Sequence, residues 1–163
     1  MLKRKILLLA TVASFITLGV SGLVMAAGHG SSPTWRNAIA PMVEAKCAMC
    51  HGDHAPEVNE WNLLGDERKT TAPRMNTYPH FMSFVVWPET GAMMRRIDDG
   101  SASGGSPGNM YQYLGNNDQE RAKNLQTIKT WLGEGAWNLN RFNVRGDTPG
   151  ISKEQLAKIK APY

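Results

Sequence analysis

Apolar residues along this chain recur at spacings of three and four, in short stretches separated by glycine, proline and charge. Strict alternation is found nowhere, so the pattern predicts helices rather than strands. Trp35, Ile39, Met42 and Val43 share one helical face. Ser32-Pro33 reads as the start of that helix, and Pro41 kinks or restarts it. The helix runs into Cys47. Residues 52–76 are polar and read mainly as loop. Pro79 to Trp87 (PHFMSFVVW) predicts a short helix ended by Pro88. Pro88 in turn opens a helix over 88–97 that carries Met93, Met94 and Ile97 on one face. Gly100 to Gly108 (GSASGGSPG) is a glycine-rich loop. The clearest helix spans Asn117 to Leu132, with Leu125, Ile128 and Leu132 as its core stripe. Asn117 serves as its N-cap, Glu120 as the reciprocal partner, and Gly133 and Gly135 stop it. Ser152 and Gln155 form a second capping box, with Ile151 and Leu156 as its apolar staple; Leu156 and Ile159 mark a short last helix. The expectation is an all-α fold of four to five short helices with long loops and a C-terminal extension.

The first residues follow a different logic. Lys3, Arg4 and Lys5 precede an uncharged apolar run over 6–24, and Val24-Met25-Ala26 offers a cleavage site of small residues. This reads as an export signal over 1–26, with cleavage after Ala26 or Ala27. The competing reading is an uncleaved membrane anchor, the only route by which a membrane would enter. Removing 26 of 163 residues leaves 137, enough for one core. It also takes three basic residues and no acidic ones out of a balance of 18 to 14, so the net charge falls from +4 to +1. The electrostatic case for nucleic-acid binding goes with those charges. The organisation expected is a signal at 1–26, one domain at 27–132 and an extension at 133–163, in a periplasmic or otherwise exported protein.

The chain has two cysteines, Cys47 and Cys50, in the run Cys47-Ala48-Met49-Cys50-His51. A disulfide between them would close a tiny loop and constrain little. Zinc in a structural site needs about four protein ligands, and no second pair is present. Thiol exchange usually places its motif in a βαβ setting, which is absent. Haem attachment suits the spacing: two thiols one turn apart can add across two vinyl groups, and the next residue places an imidazole under the iron. The candidate cofactor is one covalent haem c, on Cys47 and Cys50, with His51 as proximal ligand. A distal ligand must come from elsewhere in the chain. Met110, after the glycine-rich loop, is the first candidate; Met94, Met93 and His80 are the runners-up. Packing is the ordinary role for the helical methionines.

On these residues the chain resembles the class I c-type cytochromes, over roughly 33–132. The resemblance rests on a helix ending in CAMCHG, the glycine-rich loop ending in Met110, and the helix containing ERAKNLQTIKTWL. In mitochondrial-like members a distal methionine precedes a Glu-Arg pair by about ten residues, as Met110 precedes Glu120-Arg121. The resemblance implies a cytochrome c-like fold around one haem, with His51 and Met110 on the iron. It also implies a proline carbonyl accepting the proximal imidazole N–H. Pro56 is the candidate for this, with plain turn formation as its alternative. Tyr113 and Trp131 are further candidates for the haem pocket, Trp131 with core packing as its ordinary alternative. Arg74, Arg95 and Arg96 could pair with propionates.

The function expected is that of an electron carrier, not an enzyme, passing single electrons between redox partner proteins by outer-sphere transfer, with no small-molecule substrate evident. A haem subunit of a larger periplasmic oxidoreductase, clasped through 133–163, is the alternative. An open-site haem protein is a third reading, and requires that Met110 leave the iron free.

Overall fold

A computed structural model describes residues 31–139 and 152–163. The expected signal segment and Ile151 of the expected staple lie outside the described residues. Within them all regular structure is helical, and no helix is long and apolar enough to cross a membrane.

The first helix begins two residues later than Pro33 predicts. Thr34 is its N-cap: the Thr34 hydroxyl accepts from Asn37 N–H, and the Asn37 side chain returns the bond to Thr34 N–H. Its first turn, Trp35–Ile39, is π-helical and leads into α1, Ala40–Lys46, with Pro41 in the opening turn. Proline lacks an N–H and restarts the helix there. Cys47 breaks the run, and α2, Ala48–His51, is a single turn.

The loop expected over 52–76 contains α3, Val58–Leu63, and a 3-10 turn, Gly65–Lys69. Glu57 and Glu60 cap α3 reciprocally, a pairing the usual Ser/Thr/Asp/Asn signal does not reveal. Next comes α4, Tyr78–Ser83, capped by Thr77. Then α5, Ala92–Ile97, starts four residues after the predicted Pro88, because Gly91 in a left-handed conformation sets its beginning. A 3-10 turn, Tyr111–Leu114, leads to α6, Asp118–Leu132, and Ser152 with Gln155 caps α7, Lys153–Leu156. Leu156 is exposed rather than stapled inward; Ile159 packs on the core instead.

The turn Trp35–Ile39 packs on α6. Around the crossing, Trp35, Tyr78, Phe81 and Trp131 form a cluster of rings with centroids 5.5–6.3 Å apart. Each fully buried ring is worth about 1.5–3 kcal/mol of burial, so this cluster is a main source of the domain's stability. The chain's last residues close over it. The Pro162 carbonyl accepts the N–H of Trp35 at 2.8 Å and the indole N–H of Trp131 at 2.8 Å. Tyr78 donates its hydroxyl to the Ala161 carbonyl at 2.9 Å. Lys160 and Ala161 donate their N–H groups to the carbonyls of Leu132 and Trp131. The end of the 133–163 segment therefore wraps its own domain. Trp131, a haem-pocket candidate from sequence, is 1% exposed and belongs to this core, its one polar atom already committed.

Candidate haem-attachment site

The single turn Ala48–His51 places Cys47, Cys50 and His51 together, with Cys47 packed against the core and Cys50 exposed. Neither thiol is in a disulfide. Burial, and to a lesser degree the neighbouring Cys50, pushes the Cys47 thiol up to about 11. Redox-active dithiols have a depressed thiol pKa instead, so the environment opposes thiol exchange. Among the described residues no group of three His, Cys, Asp or Glu could hold a metal ion, which opposes the zinc reading as well. Gly52 follows because a Cβ there would lie 2.4 Å from the Ala48 carbonyl oxygen.

His51 Nδ1 lies 2.6 Å from the Pro73 carbonyl oxygen. A carbonyl can only accept, so Nδ1 carries the proton and Nε2 keeps its lone pair. Burial lowers the His51 pKa against the opposing effect of this carbonyl, favouring neutral imidazole. That is the tautomer an iron ligand needs. The proline in question is Pro73. Pro56, the sequence candidate, gives its carbonyl to Arg74 N–H at 2.9 Å. The correction is a matter of chain path: the segment through Pro73 returns to the motif, and Met75 N–H donates to the His51 carbonyl at 2.9 Å. Arg74 holds this return in place through Asp53, Asn76 and Glu57, so its guanidinium is already engaged.

Met110 sits at the start of the turn Tyr111–Leu114, partly buried against the core, with its N–H on the Arg96 carbonyl at 2.8 Å. The first turns of α6 serve both this segment and the cysteine motif. Glu120 accepts from Lys46, the residue before Cys47, at 2.6 Å. Arg121 donates to the Gly115 carbonyl at 3.1 Å, and Asn124 to the Leu114 carbonyl at 2.6 Å. The Glu-Arg pair ten residues past Met110 is thus a pair of ties, one to each side. Asn117 caps α6 as expected, but Glu120 returns its bond to Asn116 N–H rather than to Asn117.

The other candidates are placed elsewhere. Met93 and Met94 are core residues, 3% and 0% exposed. His80 has both ring nitrogens engaged, Nδ1 with the Thr77 hydroxyl at 2.7 Å and Nε2 with Glu57 at 2.7 Å. Tyr113 is exposed. Arg96 bonds Asn109, and Arg95 the Thr90 carbonyl.

The profile of the PccH cytochrome c family matches residues 34–163. The chain belongs to that family. Among solved structures, the monohaem cytochrome PccH from Geobacter sulfurreducens matches with a TM-score of 0.67 and 40% identity, over 80% of this chain and 98% of that one. No curated protein matches. As a member of the PccH cytochrome c family, the chain is a class I monohaem c-type cytochrome with an all-α, cytochrome c-like fold. It carries one covalent haem c and serves as an electron carrier for redox partner proteins. The donor set fits that group: two unpaired thiols and an imidazole with Nε2 left open, while the macrocycle brings the other nitrogens to iron. The family match extends past Gly133, through the segment that closes the aromatic core.

Proposed function

We propose that Cys47 and Cys50 hold the haem, that His51 and Met110 are its axial ligands, and that the protein passes single electrons between partner proteins by outer-sphere transfer. When bound, the haem supplies a one-electron couple at iron; a thioether ligand favours the ferrous form and raises the potential. The observation that carries the reading is the Pro73–His51 hydrogen bond, which presents Nε2 of a neutral imidazole beside two unpaired thiols. Cys47 and Cys50 tether the group, Pro73 orients His51, and α6 ties the Cys47 and Met110 segments to one rigid element. No general base or nucleophile is needed for such transfer, and docking to partners would be small and polar. Residues 1–26 direct export to the periplasm and are removed.

The test is an absorption spectrum of the holoprotein. The expected result is a low-spin c-type spectrum with the weak far-red methionine–ferric band, lost in Met110→Ala. A high-spin spectrum, or one that Met110→Ala leaves unchanged, overturns the distal assignment. The mass of the mature protein tests cleavage: retention of residues 1–26 overturns it.

A further inference from the structure

We propose that Asp98 is a positioning residue for Met110, and that the segment after α6 joins the same clasp through Trp137. The inference rests on Met110 being the distal ligand. Asp98 follows α5 and is 1% exposed. A buried carboxylate is costly unless donors satisfy it, and three do. Oδ2 accepts the Gly100 N–H at 3.0 Å and lies 2.8 Å from the Ser103 hydroxyl; Oδ1 accepts the Trp137 indole N–H at 3.0 Å.

These bonds act on one loop. The carboxylate holds the start of the glycine-rich segment, at Gly100 and Ser103. The backbone at the end of α5 holds its finish: the Asp98 carbonyl accepts Gly108 N–H at 2.8 Å, two residues before Met110, and the Arg96 carbonyl accepts Met110 N–H at 2.8 Å. Gly108 lies so close to α5 that a Cβ there would meet the Arg96 carbonyl oxygen at 2.2 Å. A run of glycine and serine has large conformational freedom to lose. One buried anion at its base limits that freedom before the thioether is asked to bind. Trp137 comes from the far side of α6, 39 positions later, and its ring also carries the Lys129 ammonium 5.0 Å from its centroid. Part of the 133–163 segment thus supports the distal ligand, and drawing Trp137 away loosens that ligand.

External imidazole competes with a protein thioether for ferric haem, so its affinity reads how readily Met110 leaves. The ferric holoprotein is titrated with imidazole while the far-red band is followed, and the segment 100–108 is probed by limited proteolysis. Asp98→Asn is the strongest variant. Trp137→Phe keeps an aromatic side chain while removing the indole N–H, and guards against a buried substitution that fails to fold. Leu125→Ala, in the core and outside the clasp, controls for general loosening. The expected result is an imidazole affinity raised about tenfold in Trp137→Phe and further in Asp98→Asn, with faster cleavage at 100–108, and little change of affinity in Leu125→Ala. Native affinity in both clasp variants, or an equal rise in Leu125→Ala, overturns the proposal. If Met110→Ala leaves the native spectrum unchanged, the distal assignment itself falls, and the clasp loses its object.

Discussion

The two sides of the site are built by opposite means. The proximal side is nearly continuous in sequence: Cys47, Cys50 and His51 occupy one turn, and its supports, Pro73 and Met75, return within 22 and 24 positions. The distal side, as proposed, is one methionine at the end of a loop of glycine and serine. It is held by a buried carboxylate before the loop and an indole far beyond it. A local turn organises itself by helix geometry; a loop with little intrinsic preference must be organised from outside. Proximal damage should therefore be all or none, and distal damage graded.

The largest expected effect breaks the proximal side outright. In Cys47→Ser with Cys50→Ser, covalent haem disappears, read as loss of the haem-bearing mass after denaturation. Retention of covalent haem would refute the attachment sites. Next, Met110→Ala should keep covalent haem while losing the far-red band and lowering the potential, measured by redox titration of the visible spectrum. Close backbone approach gives a middle-sized effect on both sides. Gly52→Ala and Gly108→Ala each force a Cβ onto a carbonyl oxygen that cannot give way. Each should cost about 1–3 kcal/mol in denaturant unfolding. Only Gly108→Ala should also weaken the far-red band, and equal weakening in Gly52→Ala would erase the contrast between the sides.

The smallest effect sharpens the tie between the two. Lys46, then the Asn116 N–H, holds the Glu120 carboxyl below its ordinary value of 4.5. A depressed folded pKa contributes stability above the unfolded value and loses it as pH falls through the folded one. Glu120→Gln should therefore lower the thermal midpoint slightly at neutral pH and by less at a pH below that ordinary value. Equal loss at both pH values would mean that the contribution is not electrostatic.

Much of the fold was legible because its signals are local. The helix Asp118–Leu132, its Asn117 cap and its buried stripe Leu125, Ile128 and Leu132 follow from periodicity and capping. The Ser152–Gln155 box did too. The helix Val58–Leu63 left no familiar signal because glutamate caps it, and the helix predicted over 88–97 begins only at Ala92 because a left-handed glycine, not Pro88, sets its start. At the site, Pro56 and Pro73 are equivalent as letters, since each offers the same carbonyl. Asp98 carries no mark of its own in the sequence, because aspartates just before a glycine are commonplace at a helix end and turn.

By itself, then, the sequence determined which residues are proposed to carry the attachment chemistry. Two thiols and an imidazole within five positions need only one turn of helix to come together. The helical class followed from periodicity in the same way. Only the tertiary structure decided which carbonyl orients His51, that His80 is already occupied, that Trp131 lies in the core, and that Asp98 and Trp137 brace the loop before Met110. Each of those outcomes depends on where distant backbone and buried polar groups meet. Backbone carbonyls occur at every residue, so their choice of partner leaves no mark in the order of the letters.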